Sequence, residues 1–94
     1  MSHRDEYIAK MKLQIDELNA SMNKLELDAR AAKRDAEAKY KEEIEKLRAQ
    51  SRLAINKLDE LIAAGESSWE SMVAETEKVR DAFASSFHYF RSQL

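Results

Sequence analysis

The chain has 94 residues, so it forms one domain at most. One glycine, no proline and no cysteine accompany 36% charged residues, a composition typical of long helices and coiled coils. It excludes disulfides, thiolate metal sites and thiol nucleophiles, and a formal net charge of -2 gives no attraction to nucleic acid. The opening "MSHRDEYIAK" is charged where a signal peptide would be apolar, and no apolar run is long enough to span a bilayer. We therefore expect a soluble, cytoplasmic protein.

The first predicted element is a long helix. From Ile8 onward, apolar residues recur at alternating intervals of three and four, which is the heptad pattern of a coiled coil. Acidic residues four positions before basic ones, as in Glu26 and Arg30, favour the same helix. Because neither proline nor glycine occurs before Gly65, the sequence predicts one helix over 1–64, about 90 Å long. Its predicted self-association seam consists of Ile8, Met11, Ile15, Leu18, Met22, Leu25, Ala29, Ala32 and Ala36.

Further apolar residues lie outside this seam. Leu53, Ile55 and Ile62 widen the apolar face near the end of the predicted helix, which indicates contact with more than one neighbouring helix. A weaker stripe on the opposite side of the first segment favours a bundle over a bare two-stranded coil, and it consists of Leu13, Ala20 and Leu27.

The second predicted element is a hinge at 65–67. Gly65 can adopt the left-handed conformation that ends helices. Ser67 and Glu70 have the spacing of a capping box, so Ser67 is the predicted N-cap of the next helix. A helix end so close to a helix start predicts a tight αα-hairpin. The alternative is a continuous helix that tolerates one glycine.

The third predicted element is an amphipathic helix over 68–94. Its apolar residues again alternate by three and four, and Trp69 is expected to pack over the turn. Folded back, this helix would cover the first helix where its apolar face is widest. The fold class is therefore all-α, a long helix and a shorter one in a hairpin. The predicted packing residues are Ile44, Leu47, Leu58, Leu61, Trp69, Met72, Val79, Phe83 and Phe90.

Two stretches carry a resemblance to a known family. "RDEYIAKMKLQIDELNA" and "SWESMVAETEKVRDAFASSF" resemble small bacterial coiled-coil proteins grouped with a cyanobacterial stress-response family. The resemblance implies a helical, stress-associated cytoplasmic protein with no assigned reaction and no catalytic residues. The matching positions are Arg4, Asp5, Tyr7, Lys10, Gly65, Trp69, Ala82 and Phe87.

Three constellations suggest chemistry, and each has a simpler interpretation. Asp81, Ser85 and His88 share one helix face, but nothing supplies an oxyanion hole, so a solvated polar face is expected. His3 and His88 have no metal-ligand spacing. The basic "RAAKR" at 30–34 is surrounded by acids and lacks the charge density that binds phosphate. We predict no catalytic residue, no metal site and no cofactor.

The sequence therefore favours a non-enzymatic coiled-coil protein that associates with itself, as a homodimer or a higher bundle, because the seam over 8–36 would otherwise be bare. Another protein partner is compatible with the same seam. The alternative function is binding to a lipid surface through the aromatic side of the second helix, although that segment has few basic residues. Helix orientation in the assembly stays open.

Overall fold

The computed structural model describes residues 3–31 and 34–93, and the side chains of all of these except 34–39. Three α-helices of similar length follow one another: α1 (His3–Arg30), α2 (Arg34–Ala63) and α3 (Trp69–Gln93), with a short 3₁₀ helix (Glu66–Ser68) before α3. Over the described ranges there is no strand. The prediction of an all-α protein is confirmed.

The predicted helix over 1–64 is corrected by the structure. The helix α1 ends at Arg30, Ala31 lies in a turn, and α2 begins at Arg34. The sequence explains why an extended arrangement has little to hold it together here. Alanine occupies consecutive seam positions from Ala29 onward and offers little apolar area to a second copy. Folding α1 back instead buries its larger apolar residues within the same chain.

Polar contacts between the helices define an up-down-up bundle. Arg4, near the start of α1, reaches the carbonyl oxygen of Ile62 at the end of α2, so these two helices are antiparallel. The Lys57 ammonium lies 3.4 Å from the Glu75 carboxylate, early in α3, which makes α2 and α3 antiparallel as well. The helices α1 and α3 then run in the same direction. The bundle measures 50 × 20 × 18 Å between its outermost Cα atoms.

One hydrophobic core runs through the bundle, and α1 contributes to it with its heptad face. Five of the predicted seam residues are buried there against α2 and α3, namely Met11, Ile15, Met22, Leu25 and Ala29. The sequence had suggested that this seam would be bare without a second copy. In the structure, the chain's own helices cover these residues. Ile8 and Leu18 pack against the core from its edge. Ala32 and Ala36 lie outside the described side chains.

The other two helices complete the core with large side chains. Phe83 and Phe90 of α3 are almost completely buried, together with Leu47 and Leu61 of α2. Fully burying such side chains supplies roughly 2 kcal/mol each from removal of apolar surface. The remaining predicted packing residues lie in the core or pack against it: Ile44, Leu58, Trp69, Met72 and Val79.

The connection between α2 and α3 differs in detail from the prediction. Gly65 has φ -81° and ψ 173°, an extended conformation that any residue can adopt, so it is not left-handed. The backbone N–H of Ser68 donates to the carbonyl oxygen of Gly65 at 3.2 Å, which closes the 3₁₀ turn. Ser67 is exposed inside that turn and is not the N-cap of α3, which begins two residues later.

Candidate interaction surface

An arginine–aromatic contact closes one end of the bundle, and we call it the clasp: Arg4, Tyr7 and Trp69. The Arg4 guanidinium donates to the carbonyl oxygen of Ile62, in the last turn of α2, where carbonyl groups have no helical partner, and to that of Ala64, directly after the helix. Its carbon Cζ also lies 4.8 Å from the centroid of the Trp69 ring, within cation–π distance. One side chain of α1 thus contacts both the end of α2 and the start of α3.

Tyr7 extends the clasp along α3. Its ring meets Trp69 edge to face with centroids 5.8 Å apart. Its hydroxyl donates to Glu77 Oε1 at 2.7 Å. Burial raises the pKa of Tyr7 above its ordinary value, and the hydrogen bond to Glu77 raises it further, because both favour the neutral phenol. Arg4 and Tyr7 of the first stretch quoted for the family resemblance therefore contact Trp69 of the second, and these contacts hold one end of the bundle together.

A buried carboxylate joins α1 to α2 towards the other end. Glu26 is 8% exposed and accepts hydrogen bonds from Arg30, one turn later, and from Arg48 of α2. The hydrogen bond from Arg48 lowers the pKa of Glu26, and the positive charges of both arginines lower it further, against the opposing effect of burial. Nearby, Ser51 donates to the side-chain oxygen of Asn19. Two side-chain contacts thus connect this side of α1 to α2.

A groove with a volume of about 480 Å³ lies beside this carboxylate. Its lining mixes charges of both signs, because Lys41 and Glu45 face it together with the Glu26–Arg48 pair. Two of its cations, Arg30 and Arg48, donate to Glu26.

One surface feature without an internal role is the outward side of α1, opposite its core face. Leu13 is 59% exposed and Leu27 is 65% exposed, with the exposed Ala20 midway between them. A spacing of seven residues places the three on one line along the helix. We call this line the outer stripe. The sequence had indicated it as the weaker stripe of the first segment.

Helix α2 also carries exposed apolar side chains, but they do not form an equally long line. Ile55 and Ile62 lie seven residues apart on one side, and Leu53 lies on another side of the helix. The sequence predicted that these three residues widen a face that contacts more than one helix. They remain exposed in the bundle, so that prediction is wrong for them.

The constellations considered from sequence are now placed. The Asp81 carboxylate accepts from the neighbouring Arg80, while Ser85 and His88 lie exposed on the surface of α3. In the described part of the chain, His, Asp and Glu side chains form no group of three that could hold a metal ion. Within the same residues, no helix is both long and apolar enough to cross a membrane.

Comparison with known proteins gives no identification: no family model matches the chain, and no curated protein or solved structure matches it. The resemblance to stress-response coiled-coil proteins thus stays a prediction that rests on the residues quoted for it.

Sequence reasoning missed the contacts of Arg4 and Glu26 that connect α1 to its neighbours. Arg4 and Trp69 are 65 positions apart, and nothing in a heptad pattern indicates their contact. Glu26 was read as half of a surface pair with Arg30, although it also binds Arg48. A signal was available for Glu26, because it follows the core residue Leu25 directly and so borders the apolar face.

Proposed function

We propose that this protein is a non-enzymatic helical interaction module that associates with itself through the outer stripe of α1. The observation that carries the proposal is the exposure of Leu13 and Leu27 in line with Ala20 on a helix whose other apolar face is already buried. The bundle does not need that line for its own core. Large aligned apolar side chains on a charged surface favour contact with another protein surface.

The area involved sets the expected strength. Two leucines and an alanine per copy bury far less than the roughly 800 Å² per partner of a standard interface. We therefore expect a reversible dimer in the micromolar range rather than an obligate one. This weak, concentration-dependent association replaces the tight coiled coil that the bare seam would have required.

The test is sedimentation equilibrium over a hundredfold range of protein concentration. The wild-type chain should shift from one-chain to two-chain mass, and the double variant Leu13→Glu/Leu27→Glu should stay at one-chain mass throughout. The matched control is Leu53→Glu, which places a charge at an exposed leucine of α2 and should dimerise like the wild type. A wild-type chain that stays monomeric at every concentration contradicts the proposal, as does a double variant that still dimerises.

A stress-associated role in the cytoplasm is part of the same proposal and rests on the resemblance of the two quoted stretches. Growth of the source cells with and without the gene, under heat, oxidative and osmotic stress, tests it. Equal growth in all three conditions contradicts it.

Binding to a lipid surface is the alternative function. The aromatic side of α3 was the segment expected to meet lipid. Phe83, Phe87 and Phe90 of that side are buried in the bundle core. A lipid role would require α3 to leave the bundle, and a change in Trp69 fluorescence on adding vesicles would reveal that opening.

A further inference from the structure

We propose that the second copy docks antiparallel on the outer stripe, with the two-fold axis passing beside Ala20. Leu13 of each copy then packs on Leu27 of the other, and Glu17 of each copy faces Lys24 of the other. This inference rests on the proposed self-association and adds the orientation and the register of the two copies.

The apolar line fits this register because it reads the same in both directions. Leu13 and Leu27 lie at equal distances on either side of Ala20. When a second copy is reversed about Ala20, each leucine meets a leucine and the two small alanines meet at the centre, where the helices approach most closely. A parallel pair would also bring leucines together, so the apolar residues alone do not select the orientation.

The charged residues beside the outer stripe favour the antiparallel orientation. Lys10, Glu17 and Lys24 follow one another at intervals of seven along the side of α1 that faces α3, and all three are exposed. Glu17 and Lys24 line the grooves between α1 and α3. Over the described residues, none of the three makes an ion pair or side-chain hydrogen bond within the chain.

The opposite side of α1 is already engaged. There, Lys12 pairs with Asp16 at 2.6 Å and Asn19 bonds to Ser51 of α2. In a parallel pair, the free side of one copy would meet this engaged side of the other. In an antiparallel pair, equal sides meet, so the free charges of both copies face each other. Reversal about Ala20 then places Glu17 of one copy within about 1.5 Å, measured along the helix, of Lys24 of the other, and this happens twice, once on each side of the two-fold axis.

Disulfide trapping tests the orientation cleanly, since the chain has no cysteine of its own. In the antiparallel register, Leu13→Cys of one copy lies about 21 Å along the helix from Leu13→Cys of the other, far beyond disulfide reach. The single variants Leu13→Cys and Leu27→Cys should therefore each stay unlinked under mild oxidation, whereas an equimolar mixture should give a linked heterodimer. Linked homodimers of either single variant, or no link in the mixture, overturn the proposed register.

Charge reversal tests the ion pairs independently. Glu17→Lys places two lysines close to each other at both positions of the interface, and we expect the Kd of the dimer to rise about tenfold. The double variant Glu17→Lys/Lys24→Glu restores both pairs with exchanged signs and should return to wild-type affinity. A double variant as weak as the single one contradicts the pairing. If the wild type dimerises but these tests fail, the register is wrong and self-association stands. If the wild type never dimerises, both proposals fall.

Discussion

The two apolar faces of α1 have the same seven-residue period, but one is buried and the other is exposed. The inner face, with Ile15 at its centre, is buried by α2 and α3, whereas the outer stripe around Ala20 is exposed. Both repeat every seven residues, so the period alone does not decide which face enters a core. The inner face has apolar residues at two positions of every heptad and the outer stripe at one. The face with the larger apolar area folds the chain, and the narrower one remains for a weak partner.

The two faces should differ most in how much stability is lost when one large apolar side chain of each is replaced by alanine. Ile15→Ala creates a cavity in the core and should lower the free energy of unfolding by about 3 kcal/mol. Leu13→Ala, at an exposed position two residues away, should change it by less than about 0.5 kcal/mol. Urea denaturation followed by circular dichroism, at a concentration where the chain is monomeric, gives both values. Similar losses for the two variants would contradict the assignment of inner and outer faces.

Polar groups sharpen the same contrast. Glu26→Gln removes a buried charge that binds two arginines, and we expect a loss of about 2 kcal/mol near neutral pH. The pKa of Glu26 is lowered in the fold, so its contribution is present above its ordinary value of about 4.3 and is lost as the pH falls. The difference between wild type and variant should therefore shrink in acid. Glu17→Gln, on the exposed side, is the control and should leave the stability of the monomer unchanged.

The clasp provides a smaller effect. Tyr7→Phe keeps the ring against Trp69 but loses the hydrogen bond to Glu77, at a cost of about 1 kcal/mol. Because the pKa of Tyr7 is raised in the fold, its contribution is present below the ordinary tyrosine value of about 10 and is lost as the pH rises above it. Thermal unfolding of both proteins between neutral and strongly alkaline pH measures this. Tyr89→Phe, at an exposed position of α3, is the matched control and should leave the melting temperature at neutral pH unchanged.

Gly65→Ala should have the smallest effect. The backbone of Gly65 is extended and a Cβ atom there would meet nothing within 4 Å. We expect unchanged or slightly higher stability, within about 0.5 kcal/mol, because alanine has less freedom in the unfolded chain. Urea denaturation and the hydrodynamic radius measure it. A larger hydrodynamic radius for the variant would show that the turn between α2 and α3 does need glycine.

Much of the core could be predicted from the sequence, because burial follows local heptad spacing. The positions from Met11 to Leu25 were identified as an apolar seam, and Phe83 and Phe90 were identified as packing residues of the last helix. Their partners could not be identified, since a heptad face fits a second copy and a neighbouring helix of the same chain equally well. The reversal after Arg30 carries neither glycine nor proline, so no turn signal marked it.

Prediction at the α2–α3 connection identified the place and not the geometry. The helix does end near Gly65, but the 3₁₀ turn uses the backbone N–H of Ser68 rather than a left-handed glycine. The outer stripe was visible from the start, yet its meaning depended on knowing that the stronger face was already covered. That knowledge required the three-dimensional arrangement.

The most direct test of the account is small-angle X-ray scattering on a size-exclusion peak whose mass is measured at the same time. Two compact bundles, each 50 Å long and docked antiparallel about Ala20, predict the mass of two chains and a maximum dimension of roughly 60–70 Å. A rod of about 90 Å would mean that α1 and α2 form one extended helix and that the inner face joins separate copies. That result would contradict the assignment of the two faces of α1.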